Sequence, residues 1–241
     1  MGDDTPATSV TKPAGPPATT SAEPSAPASA PASAPAPARV RNRRGEGARL
    51  REEIVDAAVA LLDETGDESA ITLRSVARRV GIAAPSIYRH FPDQPAIMLA
   101  VVRNAFADLD ELLRAAVDAA GDAPRARLTA LCRGYLDFAE ARPGRYRTMF
   151  GGLWMPDPDA SSVTAQDLGT LGDASLRRLA EALQDCVAAG CATSTDVAAD
   201  AVALWLGLHG LAHQRAVSPS FPWPPDVAER VITALAHFTD E

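Results

Sequence analysis

This sequence of 241 residues predicts an all-α chain of about nine helices, a small N-terminal unit followed by a larger helical one. Two observations carry that expectation. Apolar residues recur at helical spacing in one segment after another, each closed by glycine or proline, and no stretch alternates polar and apolar residues between turns as a strand would. At 46% hydrophobic residues the chain can bury a sizeable core.

Residues 1–38 stand outside this pattern. They hold nine Pro and eleven Ala, and Val10 is their only large aliphatic side chain. Such a stretch cannot bury enough apolar surface to offset its ordering entropy, so a disordered tail with polyproline character is expected. Residues 39–46 follow as a basic arm in which Arg39, Arg41, Arg43 and Arg44 meet no acid before Glu46.

The helices begin at residue 47. Leu50, Ile54, Ala57, Ala58, Leu61 and Leu62 line one face of a helix over 47–65, and Gly66 closes it. Its other face is acidic (Glu52, Glu53, Asp56, Asp63) and suits a supporting role. Thr72 is placed to cap a second helix, in which Leu73, Val76, Ala77 and Val80 share a face. Gly81 supplies the turn, and Ile82 and Ile87 anchor a short third helix back on the second. Ala84, Pro85, Ser86, Tyr88, Arg89 and His90 are left to meet something outside. Small, hydroxylic, aromatic and basic side chains on a short exposed helix are what a major groove and its phosphates accept. The stretch from Thr72 to Phe91 therefore reads as a helix-turn-helix, within a unit spanning 47–92.

The second unit, 93–241, is helical to its end. Asp93 caps and Pro95 opens a helix that carries Ile97, Met98, Val101, Val102, Phe106, Leu109, Leu112 and Leu113 towards a break at Gly121. Pro124–Ala141 is the next helix, Arg142-Pro143-Gly144 a break, and Arg145–Phe150 a short helix. After a loop from 151 to 162, one helix is expected over about 164–189 and two more over about 195–217 and 225–239. Phe106, Tyr135, Phe138, Tyr146, Met149, Phe150, Trp154, Trp205 and His209 form an aromatic-rich set around the helix break and the loop. Helices packed with irregular breaks leave apolar cavities, so these nine are candidate ligand-pocket residues, with ordinary core as the alternative. In the last two helices Ala203, Gly207, Gly210, Leu211, Val231 and Leu235 belong to surfaces that are apolar nearly all round, which suits a two-fold contact with a second copy.

Charge divides unevenly. The net charge is −8, yet residues 39–100 carry ten Arg against nine acids, while 101–241 carry twelve Arg against nineteen. The end that holds the helix-turn-helix would face a polyanion. Cys132, Cys186 and Cys191 are an odd number without ligand spacing, so neither a disulfide framework nor a metal is expected. No apolar run approaches the roughly 18 residues of a membrane span, and no signal pattern opens the chain, so a soluble cytoplasmic protein is expected. No phosphate loop, nucleophile elbow or His-Glu-x-x-His is present, and no cofactor or enzymatic activity is expected.

The runs I-V-D-A-A-V-A-L-L-D-E-T-G, I-T-L-R-S-V-A-R-R-V-G-I and S-I-Y-R-H-F-P-D-Q, over roughly 47–100, resemble the TetR family of transcriptional regulators. P-G-R-Y-R-T-M-F (143–150) and W-L-G-L-H-G (205–210) resemble the WHG-type C-terminal domain of one branch. The resemblance implies a homodimeric all-α repressor on a palindromic operator in double-stranded DNA, released by a small hydrophobic effector. By position, Ser86, Tyr88 and His90 match the family's groove- and phosphate-contacting places and Thr72 the capping residue; Thr72, Gln94 and the arm's Arg39, Arg41, Arg43 and Arg44 join them as DNA-binding candidates. Gln94 stands where the family usually has a phosphate-binding Lys, and Ala83 where Ser or Thr often caps the reading helix. The alternative is a DNA-binding regulator without an effector, answering to a protein partner.

Overall fold

The computed structural model describes residues 46–152 and 154–239. The expected tail and the arginines at 39–44 lie outside the described residues. Within them the regular elements are helical: α1 (Glu46–Thr65), a 3-10 turn (Glu68–Ala70), α2 (Leu73–Val80), α3 (Ala84–Ile87), α4 (Gln94–Ala119), α5 (Pro124–Ala141), α6 (Pro143–Phe150), α7 (Ala165–Gly169), α8 (Asp173–Ala188), α9 (Val197–Val217) and α10 (Val227–Leu235). An isolated antiparallel bridge pairs Ala192 with Phe238 beyond the last helix.

The stop and start signals work as chemistry. Gly66, at φ +62°, returns its N–H to the Leu62 carbonyl at 2.7 Å and ends α1. Thr72 accepts from the Ser75 N–H while Ser75 Oγ accepts from the Thr72 N–H, a reciprocal cap on α2. Asp93 Oδ1 accepts from Ala96 N at 2.9 Å and caps α4.

α4 is the spine of the molecule, 26 residues and about 39 Å long at the usual rise. Its first turns send Ile97, Met98 and Val101 into a core shared with Ile54, Leu62, Val76, Ile87 and Phe91. Further along, Leu109, Leu113 and Val117 enter a second core with Leu128, Phe138, Leu183 and Leu204. One helix thus belongs to both cores, and a shift of its axis is felt in each.

Two expectations change. The single helix expected over 164–189 is two, because Gly172 adopts a left-handed backbone at φ +82° and turns the chain between α7 and α8. A Cβ at Gly172 would come within 3.0 Å of the Phe106 ring, so only glycine fits that corner. The short helix after the break starts at Pro143 rather than Arg145. Proline occupies its first position, where a missing N–H costs nothing. The cysteines are free thiols: Cys132 and Cys186 are buried, burial raising the pKa of each, and Cys191 is half-buried.

Candidate nucleic-acid interface and adjoining cavity

α3 is one turn long, continued by a turn over Tyr88–His90. Ala83 offers no capping oxygen, as its side chain dictates, and the helix is held instead by what lies beneath it. Ile87 and Phe91 are fully buried in the first core. The Arg51 guanidinium lies 4.1 Å over the Phe91 ring and donates to the His90 carbonyl at 2.7 Å, pinning the end of the turn to α1. This leaves Ala84, Pro85, Tyr88 and Arg89 exposed, with Ser86 and His90 half-buried beside them. Tyr88 is 54% exposed, and nothing inside the molecule explains an aromatic ring there.

Two of the candidate DNA-binding residues have internal duties. Thr72 spends its hydroxyl on the α2 cap. Gln94 donates its side-chain amide to the Ile71 carbonyl at 2.8 Å, tying the start of α4 to the approach to α2. Arg74 and Arg78 are two further candidates, not singled out by the sequence pattern. They are exposed on α2 and have no acidic partner among the described residues, whereas Arg79 forms a two-pronged pair with Glu64 at 2.5 and 2.6 Å. Arg74, Arg78 and Arg89 are therefore cations available to phosphates. The signal is legible, since Arg74 and Arg78 lie off the apolar face of α2 and Arg89 lies in the turn after α3.

Behind this head, α4, α5, α6, α8 and α9 enclose a cavity of about 380 Å³, within the roughly 300–1,000 Å³ of small-molecule sites. Phe106, Tyr135, Met149, Phe150, Trp154 and Trp205 line it. Three candidates do not. Phe138 is completely buried in the second core, because its position on α5 turns it away from the opening. Tyr146 and His209 sit one layer behind the lining. The Tyr146 hydroxyl is 2.7 Å from His209 Nδ1, and the Tyr135 hydroxyl is 3.2 Å from that of Tyr146. Burial raises the pKa of both phenols and lowers that of His209. In the neutral imidazole the tautomer sets whether Nδ1 accepts from the Tyr146 hydroxyl or donates to it. Leu109, Leu131, Leu176 and Leu208 also line the cavity. A leucine facing a cavity and one facing the core look alike in sequence.

Several contacts join cavity and head. Arg145 on α6 pairs with Asp63 of α1 at 2.6 Å and with Asp108 of α4, while Arg147 donates to the Gly66 carbonyl at 2.7 Å. The Arg145 hydrogen bonds hold the Asp63 carboxyl below its usual range. Trp154, in the loop after α6, borders the cavity and packs on the first core as well. Its indole N–H is buried and finds no acceptor among the described residues. At the far end of that loop, Ser162 donates through N at 2.7 Å and Oγ at 3.0 Å to the Asp93 carboxylate, the cap of α4.

The candidate interface residues divide. Leu211 is buried in the protomer's own core. Gly207 faces α10, where a Cβ would overlap the Leu235 side chain and stand 3.2 Å from Val231, so these three form an internal seam. Ala203 is half-buried, and Gly210 is exposed. What α9 presents outwards is one step round the helix: Val202 (39% exposed), Leu206 (53%), Gly210 and Val217 (57%).

The helix-turn-helix head and the helical body around the cavity thus share α4. Residues 54–101 match the family model for bacterial regulatory proteins of the tetR family, and residues 128–238 that for the tetracyclin repressor-like C-terminal domain. Together the two take in about two-thirds of the sequence, and the chain belongs to the TetR family.

Among curated proteins it is 36% identical over 87 residues to the HTH-type transcriptional regulator BetI of Burkholderia thailandensis, covering 36% of this chain and 44% of that one. It is 29% identical over 109 residues to the nucleoid occlusion factor SlmA of Photobacterium profundum, covering 45% and 55%. The chain thus spans about half the length of the curated relatives it matches. A solved protein of unknown function from Rhodococcus sp. RHA1 superposes at a TM-score of 0.63 with 28% identity, over 78% of this chain and 91% of that one. The transcriptional regulator FadR from Bacillus subtilis, in complex with stearoyl-CoA, does so at 0.61 with 14% identity, over 78% and 99%, a likeness of fold. BetI and FadR are both named as transcriptional regulators.

Proposed function

We propose that this chain is a cytoplasmic DNA-binding transcriptional regulator, a homodimeric repressor that a small apolar effector releases from a palindromic operator. The observation that carries the reading is α4, whose two ends serve the core beneath the reading helix and the wall of the cavity. A ligand that prefers one arrangement of α4 changes the placement of α3 by its differential affinity for the two states, and by no other means. Tyr88, Arg89, Ser86 and His90 meet the groove and its phosphates, supported by Arg74 and Arg78. The arginines at 39–44 act as an arm on adjacent phosphates or the minor groove. Two reading helices set about 34–36 Å apart by an α9–α10 dimer match successive turns of a palindrome.

The domain limits that go with this reading are a tail over 1–38, an arm over 39–46, a DNA-binding unit over 47–92 and an effector and dimer unit over 93–241. The match to a nucleoid occlusion factor supports a second reading, control by a protein partner without an effector. The cavity favours the first. Sequencing the DNA that co-purifies with the protein tests the reading: an enriched inverted repeat is expected, and random fragments would overturn it. Release of that repeat on adding a cell extract's small-molecule fraction, with no release by its protein fraction, separates the two readings.

A further inference from the structure

The cavity wall carries information about the charge of what fills it. Five aromatic side chains border it: Phe106, Tyr135, Phe150, Trp154 and Trp205. Phe150 sits among three of the others, with ring centroids 5.6 Å from Phe106, 6.2 Å from Tyr135 and 6.3 Å from Trp205. Among the described residues, Asp173 is the one formal charge in that wall, and no Lys, Arg or His borders it.

Two of the neighbouring cations are already matched. Arg103 pairs with Asp167 at 2.7 Å, and Arg178 gives two bonds of 3.0 Å to Asp110. Asp173 has no basic partner among the described residues. It stands in the first turn of α8, so the helix end that would otherwise favour an anion already carries a carboxylate.

Ring faces are negative and attract a cation lying within about 6 Å of their centroids. An anion entering here would meet aromatic rings and the exposed Asp173 carboxylate; the unpaired Trp154 N–H offers it one neutral donor, and no cation replaces its water. We propose that the effector is a lipophilic cation, an apolar body bearing a quaternary or delocalised positive charge. This rests on the effector reading of the cavity and adds the sign of the charge.

Tetraphenylphosphonium and tetraphenylborate share a shape and differ in charge, and N-phenyl-1-naphthylamine supplies an uncharged probe. Each is titrated into the full purified chain, following tryptophan quenching and the melting temperature. Because a net charge of −8 collects cations loosely, displacement of the uncharged probe by the phosphonium is part of the test. The expected result is displacement by the phosphonium at concentrations at least about tenfold lower than by the borate, a gap that narrows in Asp173→Asn as a nearby charge is removed. Equal or better displacement by the borate overturns the cation inference, as does binding of the uncharged probe alone, and both leave the effector reading standing. Failure of all three probes to bind overturns the effector reading itself.

Discussion

The Tyr146 hydroxyl lies 2.7 Å from His209 Nδ1, one layer behind the cavity wall. Burial, then the charge of nearby His213, holds His209 below the ordinary imidazole value of 6.5. The unfolded chain therefore takes up a proton at higher pH than the folded one. Stability is full above 6.5 and is lost as pH falls from there towards the folded value. Melting curves taken from roughly pH 8 to pH 5 should show this loss in the natural chain and a flatter profile in His209→Gln. Identical profiles would remove His209 from the account.

Tyr88→Ala should weaken operator binding by about tenfold or more, since the ring would be missing from both copies of the proposed dimer. An exposed side chain of this kind contributes little to folding, so stability should stay within about 0.5 kcal/mol of the natural chain's. A gel-shift titration beside a thermal melt reads both numbers.

The outward face of α9 and its inward face give opposite expectations. Leu206→Glu places a charge on an exposed position and should yield a folded monomer by light scattering. Leu211→Ala removes a buried side chain and should cost about 2–5 kcal/mol of stability before it alters association. If Leu206→Glu remains a dimer, the interface lies elsewhere.

Gly207→Ala presses a methyl group into the Leu235 side chain. Overpacking of this kind costs typically about 1–3 kcal/mol. In a Leu235→Ala background the same change should cost little or become favourable, because alanine is the better helix former once space exists. A four-corner set of urea melts measures the coupling.

Removing residues 1–38 should leave operator affinity nearly unchanged. Removing 1–44 should weaken it and flatten its salt dependence, by roughly 0.9 in logarithmic slope for each phosphate that the arm no longer neutralises. Equal affinities for the two truncations would count against the arginine arm.

Element boundaries are legible in the sequence where a single residue enforces them. Gly66 and Gly81 turn the chain through left-handed backbone, and Thr72 and Asp93 cap it with their own oxygens. Gly172 escapes such a reading because the helical spacing on either side of it continues almost in phase. The reading helix is legible because Ile87 is the apolar position of a short exposed turn. The cavity is half legible: a cluster of rings signals a gap between helices, but whether Phe138 or Phe150 faces it depends on a rotation about the helix axis. The same rotation decides the face of α9, where Gly207 marks the seam with α10 and Leu211 the core. Leu206 and Val202, one position round, are outermost.

Asp93 has two clients, the first turn of α4 and Ser162 at the end of the loop that begins beside the cavity. The stretch between Trp154 and Ser162 is consequently tethered at its far end and free to vary in between. Insertions or deletions there can remodel the mouth of the cavity while the cap of α4 stays satisfied. The rim of the cavity and the first turn of α4 can vary separately, with a single serine keeping the two in register.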